Sequence, residues 1–166
     1  MGDILDGKFV VKIVDGQYVN DDAVDAVIGY IGREGNNHNI GGTGFWPINM
    51  CGAMDCFKKV QQAYDVTQGR HLWHIIISPD STWFFKENDL IIISDRICNY
   101  FSSEYQVFFG IHSDERYLHI HLAINSVNYR NGKRLKFIDI EELRAFVKKQ
   151  LEQYAIEKYF KEKEKE

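Results

Sequence analysis

The chain has 166 residues, 45% of them hydrophobic and 27% charged, which suits one ordinary domain with its own core and no need of disulfide staples. No run approaches the ~20 apolar residues of a membrane span, and the start Met1-Gly2-Asp3 lacks the basic-then-apolar order of an export signal. Membrane and secreted classes are therefore set aside and a cytoplasmic location is expected. The net charge of −4 announces no general polyanion binder. Cys51, Cys56 and Cys98 are odd in number and lack metal-ligand spacing, so they read as reduced structural thiols.

The elements follow in chain order. Residues 8–14 are β-branched and end at Asp15-Gly16, which predicts a strand and a turn. Asn20 then precedes two acids and helically spaced apolar residues, predicting a helix over 21–31. Glycines 32, 35, 41, 42 and 44 predict a flexible loop closed by Phe45-Trp46-Pro47. A second helix is predicted over 52–67, a strand over 71–78 and a third helix over 87–103. Two strands near 105–113 and 118–128 come next, joined by a short link. Asn131-Gly132 signals a hairpin leading to a short strand at 134–137. Asp139 caps a last helix to about residue 160, beyond which the alternating Lys-Glu tail should fray. The expectation is one α+β domain over 1–160, with a largely antiparallel sheet of about five strands and helices packed on its faces.

Charge is unevenly spread. Residues 1–30 alone carry a net −4, whereas Arg130, Lys133, Arg134 and Lys136 set four positive charges in seven residues. That cluster is either a polyanion-binding patch or a solvated hairpin tip.

The segment from Ile111 to Asn125 carries the chemistry. Residues two apart on a strand share a face, so His119 and His121 project together, with Asn125 further along, while Ile120, Leu122 and Ile124 turn to the core. A hairpin folded around Glu115-Arg116 places His112 opposite His119, with Cβ atoms ~5 Å apart. Three imidazoles then converge on one face, open on the remaining side, as in a catalytic metal site. Asp114 and Asn125 lie in register with that face and are candidates for orienting a ligand ring. Imidazole donors suit Mn, Co, Ni or Zn.

The pattern His112-x-Asp114-x-x-x-x-His119-x-His121-x-x-x-Asn125 resembles the metal-binding motif of the HUH endonucleases, and more narrowly that of the MobA/VirD-type (MOB-P) conjugative relaxases. Those enzymes carry a nucleophilic tyrosine near the end of an early helix, a position matched by Tyr30 in Ala-Val-Ile-Gly-Tyr30-Ile31. Their usual Asn-Pro-x-Lys-Thr stretch after the tyrosine is replaced here by Gly32-Arg33-Glu34-Gly35. His74-Ile-Ile-Ile-Ser78 is similar to their middle motif, whose serine contacts DNA. The resemblance covers residues 20–137 and reads as a minimal relaxase or an isolated relaxase domain.

The resemblance implies nicking of one DNA strand at an origin of transfer, for plasmid or mobile-element mobilisation. Tyr30 attacks a phosphodiester to give a 5′-phosphotyrosyl link, with Mg²⁺ or Mn²⁺ held by His112, His119 and His121. Asp114 is the candidate for orienting a histidine or accepting the tyrosine proton. Single-stranded or locally melted DNA is the expected partner, with accessory or coupling proteins in support. Ser78, Arg130, Lys133, Arg134 and Lys136 are the candidate DNA contacts, the basic cluster being expected near the site. Arg33, Lys58 and Lys59 extend it, and Phe45, Trp46 and Trp83 are either stacking platforms or loop anchors. His38 and His71 read as ordinary polar residues. Three alternatives stand beside this reading. One is a rolling-circle initiator or transposase using Tyr154 on the last helix, near Lys158; another is a non-cleaving metal- and DNA-binding module. The third is a metallohydrolase that uses water.

Overall fold

In the computed structural model, which describes residues 7–33, 39–113 and 116–166, the β-branched run after Lys8 forms strand β1 (Phe9–Ile13). Helix α1 (Ala23–Arg33) follows, with Asp25 in its first turn and Arg33 in its last, both matched to the helix dipole. Then come β2 (Ile40–Thr43) and α2 (Met50–Ala63), the latter capped by Asn49, whose side chain accepts from the Gly52 amide at 2.7 Å. Strand β3 (Leu72–Pro79), helix α3 (Glu87–Cys98) and strands β4 (Val107–His112) and β5 (His119–Asn125) complete the middle of the chain. Helix α4 (Ile140–Lys163) closes it, capped by Asp139 accepting from the amides of Glu141 and Glu142.

Among the described residues the strands form one antiparallel sheet of five in the order β1-β3-β5-β4-β2. The class is α+β, as expected. The fifth strand is not the expected one. Residues 134–137 make only a single bridge, Val127 to Arg134, whereas the glycine-rich Ile40-Gly-Gly-Thr43 pairs along β4 as an edge strand. Its glycines are what let it sit there, because a Cβ on Gly41 would fall 2.4 Å from the Phe109 ring. Helix α1 likewise runs two residues further than the glycine signal suggested. At Gly32 a Cβ would meet Met50 Sδ at 2.2 Å, so this glycine serves helix packing rather than a loop.

Strand alternation gives the sheet two unlike faces. Ile75, Ile77, Phe109, Ile111, Ile120, Leu122 and Ile124 point to one side, where α3 and α4 bury Ile93, Ile97, Val147 and Leu151 against them. Leu72, Phe108 and Ala123 point to the other, under Val24, Ile28 and Ile31 of α1 and Phe57 of α2. The histidines of β4 and β5 belong to this second face.

Two contacts fix how the helices sit on it. At Gly110 a Cβ would stand 2.5 Å from the Ile31 carbonyl oxygen, so the last turn of α1 rests directly on the backbone of β4. At the other end of the face, the Asn125 amide donates to Phe57 O and Gln106 Oε1 and accepts from Gln61 Nε2 and the Val127 amide, at 2.7–3.2 Å. All four of its hydrogen-bonding positions are filled, which ties α2 to β5.

Asn125→Ala would leave Gln61 and Gln106 short of a buried partner and should cost about 1–3 kcal/mol in urea unfolding. Gly110→Ala should cost a comparable ~1–3 kcal/mol, because its methyl meets rigid backbone rather than a yielding side chain. An unchanged unfolding midpoint in either variant would remove that contact from the account.

Candidate metal centre and tyrosine

The β4–β5 hairpin pairs His112 with His119, the register expected from the sequence. His121, two residues along β5, shares their face beside Gly110. All three rings are buried, at 0, 3 and 1% exposure, and their ligand atoms lie within 4.8 Å of one another. Ring centroids are 4.1 Å apart for His112 and His121 and 4.9 Å for His119 and His121.

Each ring has its second nitrogen engaged. His112 Nε2–H donates to the Ile31 carbonyl at 2.8 Å, and His119 Nδ1–H donates to the Tyr117 carbonyl at 3.0 Å. His121 Nδ1 stands 2.8 Å from Nε2 of His74 on β3. A nitrogen that donates its proton cannot ligate, so His112 is left with Nδ1, and His119 with Nε2, as lone-pair donor. His121 Nε2 is buried and makes no hydrogen bond. Burial, reinforced by neighbouring histidines, lowers the His121 pKa to about 2 and that of His74 to about 4, so both rings are neutral near pH 7.

Tyr30 lies on the last turns of α1, directly above this cluster. Its ring meets His112 and His121 edge to face at 5.4 and 5.5 Å, and His74 at 6.2 Å. The ring is nonetheless 48% exposed, so one side rests on imidazoles and the other is open. The residue after it, Ile31, supplies the carbonyl that orients His112.

The family of relaxases described as MobA/VirD2-like, nuclease domain, matches residues 23–162. That span takes in α1 with Tyr30, all three histidines and α4. The chain belongs to this relaxase family. No curated protein and no solved structure matches it. Membership makes the chain a DNA nuclease domain, and the buried triad fits the divalent metal such a domain implies. The fit rests on three neutral-capable nitrogen donors, their second nitrogens engaged, and a buried Nε2 of His121 without a hydrogen-bond partner. Among the described residues no helix is long and apolar enough to cross a membrane.

Other sequence candidates of the relaxase fall differently. Ser78 is on β3, on the same face as His74, just past the last residue paired with β5. Asp114 and His38 lie outside the described residues. Asn125 does not reach the histidines: it is four residues, roughly 13 Å, beyond His121, and its amide is fully engaged in tying α2 to the sheet. The basic cluster does not flank the metal centre either. It follows the far end of β5, roughly 20 Å from His119 at the strand's rise. Within it Arg134 donates to the carbonyls of Arg70 and Gln68, leaving Arg130, Lys133 and Lys136 exposed. Lys58 and Lys59 pair with Asp25 and Asp55. Phe45 and Trp83 are core residues, whereas Trp46 is 79% exposed.

Tyr154 stands behind the sheet, in the α3–α4 core. Its hydroxyl donates to Asp89 at 2.7 Å, and burial, then that carboxylate, pushes its pKa up to about 12. The sheet separates it from the histidines. Sequence reasoning missed His74 as part of the site and treated its strand only as a serine motif. Its placement two and four residues before Ile76 and Ser78 was a face signal, but the pairing of β3 with β5 is what brings it to His121.

The lowered histidine pKa values set an acid dependence in the metal-free protein. An unfolded histidine titrates near 6.5, so below that pH the unfolded chain takes up protons that native His74 and His121 refuse. Stability should therefore fall as pH drops from about 6.5 to 4, by at most about 1.4 kcal/mol per pH unit per histidine. Urea unfolding in EDTA at pH 7 and 5 would read this. A His121→Leu variant should flatten the dependence, and equal slopes would assign it elsewhere.

Proposed function

We propose that this relaxase domain nicks one DNA strand by transesterification, with Tyr30 as nucleophile and His112, His119 and His121 as the ligands of a Mg²⁺ or Mn²⁺ ion. The observation that carries the reading is the Tyr30 ring, half-exposed and packed edge-on against the buried histidine cluster. The Tyr30 hydroxyl oxygen attacks phosphorus, the bond from phosphorus to the 3′-oxygen breaks, and a 5′-phosphotyrosyl link and a free 3′-hydroxyl result. The retained ester energy makes the step reversible. A phenol with a pKa of about 10 needs its proton removed, a role assigned to Asp114, two residues from His112 in the sequence. The bound cation would stabilise charge developing on the phosphate oxygens.

Around this centre, Ser78 is the nearest candidate for a DNA contact on β3. Arg130, Lys133 and Lys136 would hold phosphates further along the strand, and Trp46 would stack on an unpaired base. The setting is an origin of transfer in mobilisation of a plasmid or mobile element, in the cytoplasm, with accessory or coupling proteins supplying the affinity that an acidic chain lacks.

The test is incubation of the protein with Mg²⁺ or Mn²⁺ and end-labelled single-stranded origin-type oligonucleotides, read on denaturing gels. A covalent adduct is expected, absent in Tyr30→Phe and in His121→Ala and intact in Tyr154→Phe. Cut DNA without an adduct would replace the tyrosine by water. Binding without cutting on any substrate would leave a recognition module.

A further inference from the structure

His74 lies outside the histidine motif that identifies the site, yet it is the residue that His121 Nδ1 meets. It is buried on β3 opposite Ala123, whose single methyl leaves room for the ring to lean diagonally across to His121 on the neighbouring strand. The two rings approach at 5.1 Å between centroids, with Nε2 of His74 2.8 Å from Nδ1 of His121. On its other side, His74 Nδ1 faces the Tyr18 hydroxyl at 3.4 Å. Tyr18 is held there in a left-handed backbone conformation, φ 48°, with its carbonyl accepting from the His71 amide at 2.9 Å. A bulky residue rarely occupies that region without compensation.

One proton lies between the two histidine rings, and its position decides what His121 can do. If it sits on His74 Nε2, then His121 Nδ1 accepts it and neutral His121 must carry its own proton on Nε2, the nitrogen that faces the cluster. No lone pair is then available for a cation. If it sits on His121 Nδ1, then His74 accepts, and Nε2 of His121 is bare. His112 and His119 have the same problem solved by backbone carbonyls, which can only accept. His121 lacks a carbonyl and has His74 instead.

We propose that His74 is a positioning residue for the metal centre: by accepting the Nδ1 proton of His121, it holds that ring in the tautomer and orientation that turn the Nε2 lone pair toward the other two ligands. His74 then carries its own proton on Nδ1, directed at the Tyr18 hydroxyl oxygen. The proposal rests on the metal-site reading above and goes beyond it, since it gives a role to a side chain outside the triad.

The test uses the full chain and Mn²⁺ or Co²⁺ alone, without DNA. Mn²⁺ affinity is read by calorimetry for wild type, His74→Gln, His74→Phe and the ligand variant His121→Ala. His74→Phe, which fills the space and cannot accept, should bind about 10–100-fold more weakly. His74→Gln offers an amide oxygen as acceptor and should recover most of that loss. The Co²⁺ absorption of His74→Gln should match wild type, as the ligand set is unchanged. Long-range proton–nitrogen NMR of wild type should find His121 protonated on Nδ1 and His74 likewise, a readout that stands even if His74→Phe fails to fold. Wild-type affinity in His74→Phe, or a His121 protonated on Nε2 in the loaded protein, would overturn the proposal while leaving the metal site intact. A His74→Gln loss as large as that of His121→Ala would make His74 a ligand and overturn it too. No binding by wild type would overturn the metal reading and this proposal together.

Discussion

The absence of a side chain at residue 110 governs the rest of the site. Any Cβ there would run into the Ile31 carbonyl, so only glycine lets the end of α1 lie against β4. That contact sets two things at once. It brings the Ile31 carbonyl within 2.8 Å of His112 Nε2, fixing the ring's tautomer, and it hangs the preceding residue, Tyr30, over the histidines. Nucleophile candidate and ligand candidate are thus held by adjacent residues of one helical turn. A one-residue slip of that helix would rotate the tyrosine by about 100° and withdraw the carbonyl together with it.

The sheet divides labour between its faces. One face is closed by α3 and α4 with a mixed aliphatic and aromatic core and gives the domain its stability. The other is shared between a smaller apolar cluster under α1 and α2 and a row of polar residues. That row has histidines at one end and the Asn125 network at the other. The Asn125 amide is satisfied entirely within the protein, while at the histidine end Nε2 of His121 is buried with no hydrogen bond. Buried polar groups are normally paired; Nε2 of His71, beside Gln61, is unpaired as well, so what sets the histidine end apart is the convergence of three ligand-capable imidazoles. By the same division Tyr154, the right residue type on a suitable helix, lies on the stabilising face.

How far the sequence could be read depended on how local each contact is. The His112–His119 register follows from a hairpin with a short link, so alternation and one pairing assumption sufficed. The helix cap at Asp139 is equally local. The edge strand Ile40–Thr43 was illegible, because two central glycines argue against a strand and only tertiary neighbours explain them, the Phe109 ring at Gly41 and the Val107 carbonyl and Phe45 ring at Gly42. His74 needed the pairing of strands 47 residues apart. The basic cluster misled because adjacency in sequence to β5 was taken for adjacency in space, whereas an extended strand carries the chain away from its own start. Asn125 shared the correct face and was placed in the wrong company for the same reason.

The orientation of α1 has one more consequence. Phosphates commonly settle at the amide end of a helix, where the dipole is positive. Here the helix approaches the histidines with its carbonyl end, and His74 and His121 are held neutral. The histidine centre by itself therefore has little with which to draw in a phosphodiester, and a divalent cation held there would reverse the local field. Under the proposed reading, cation and nucleic acid would be each other's effectors: whatever factor one added to the affinity of the other would be returned in equal measure.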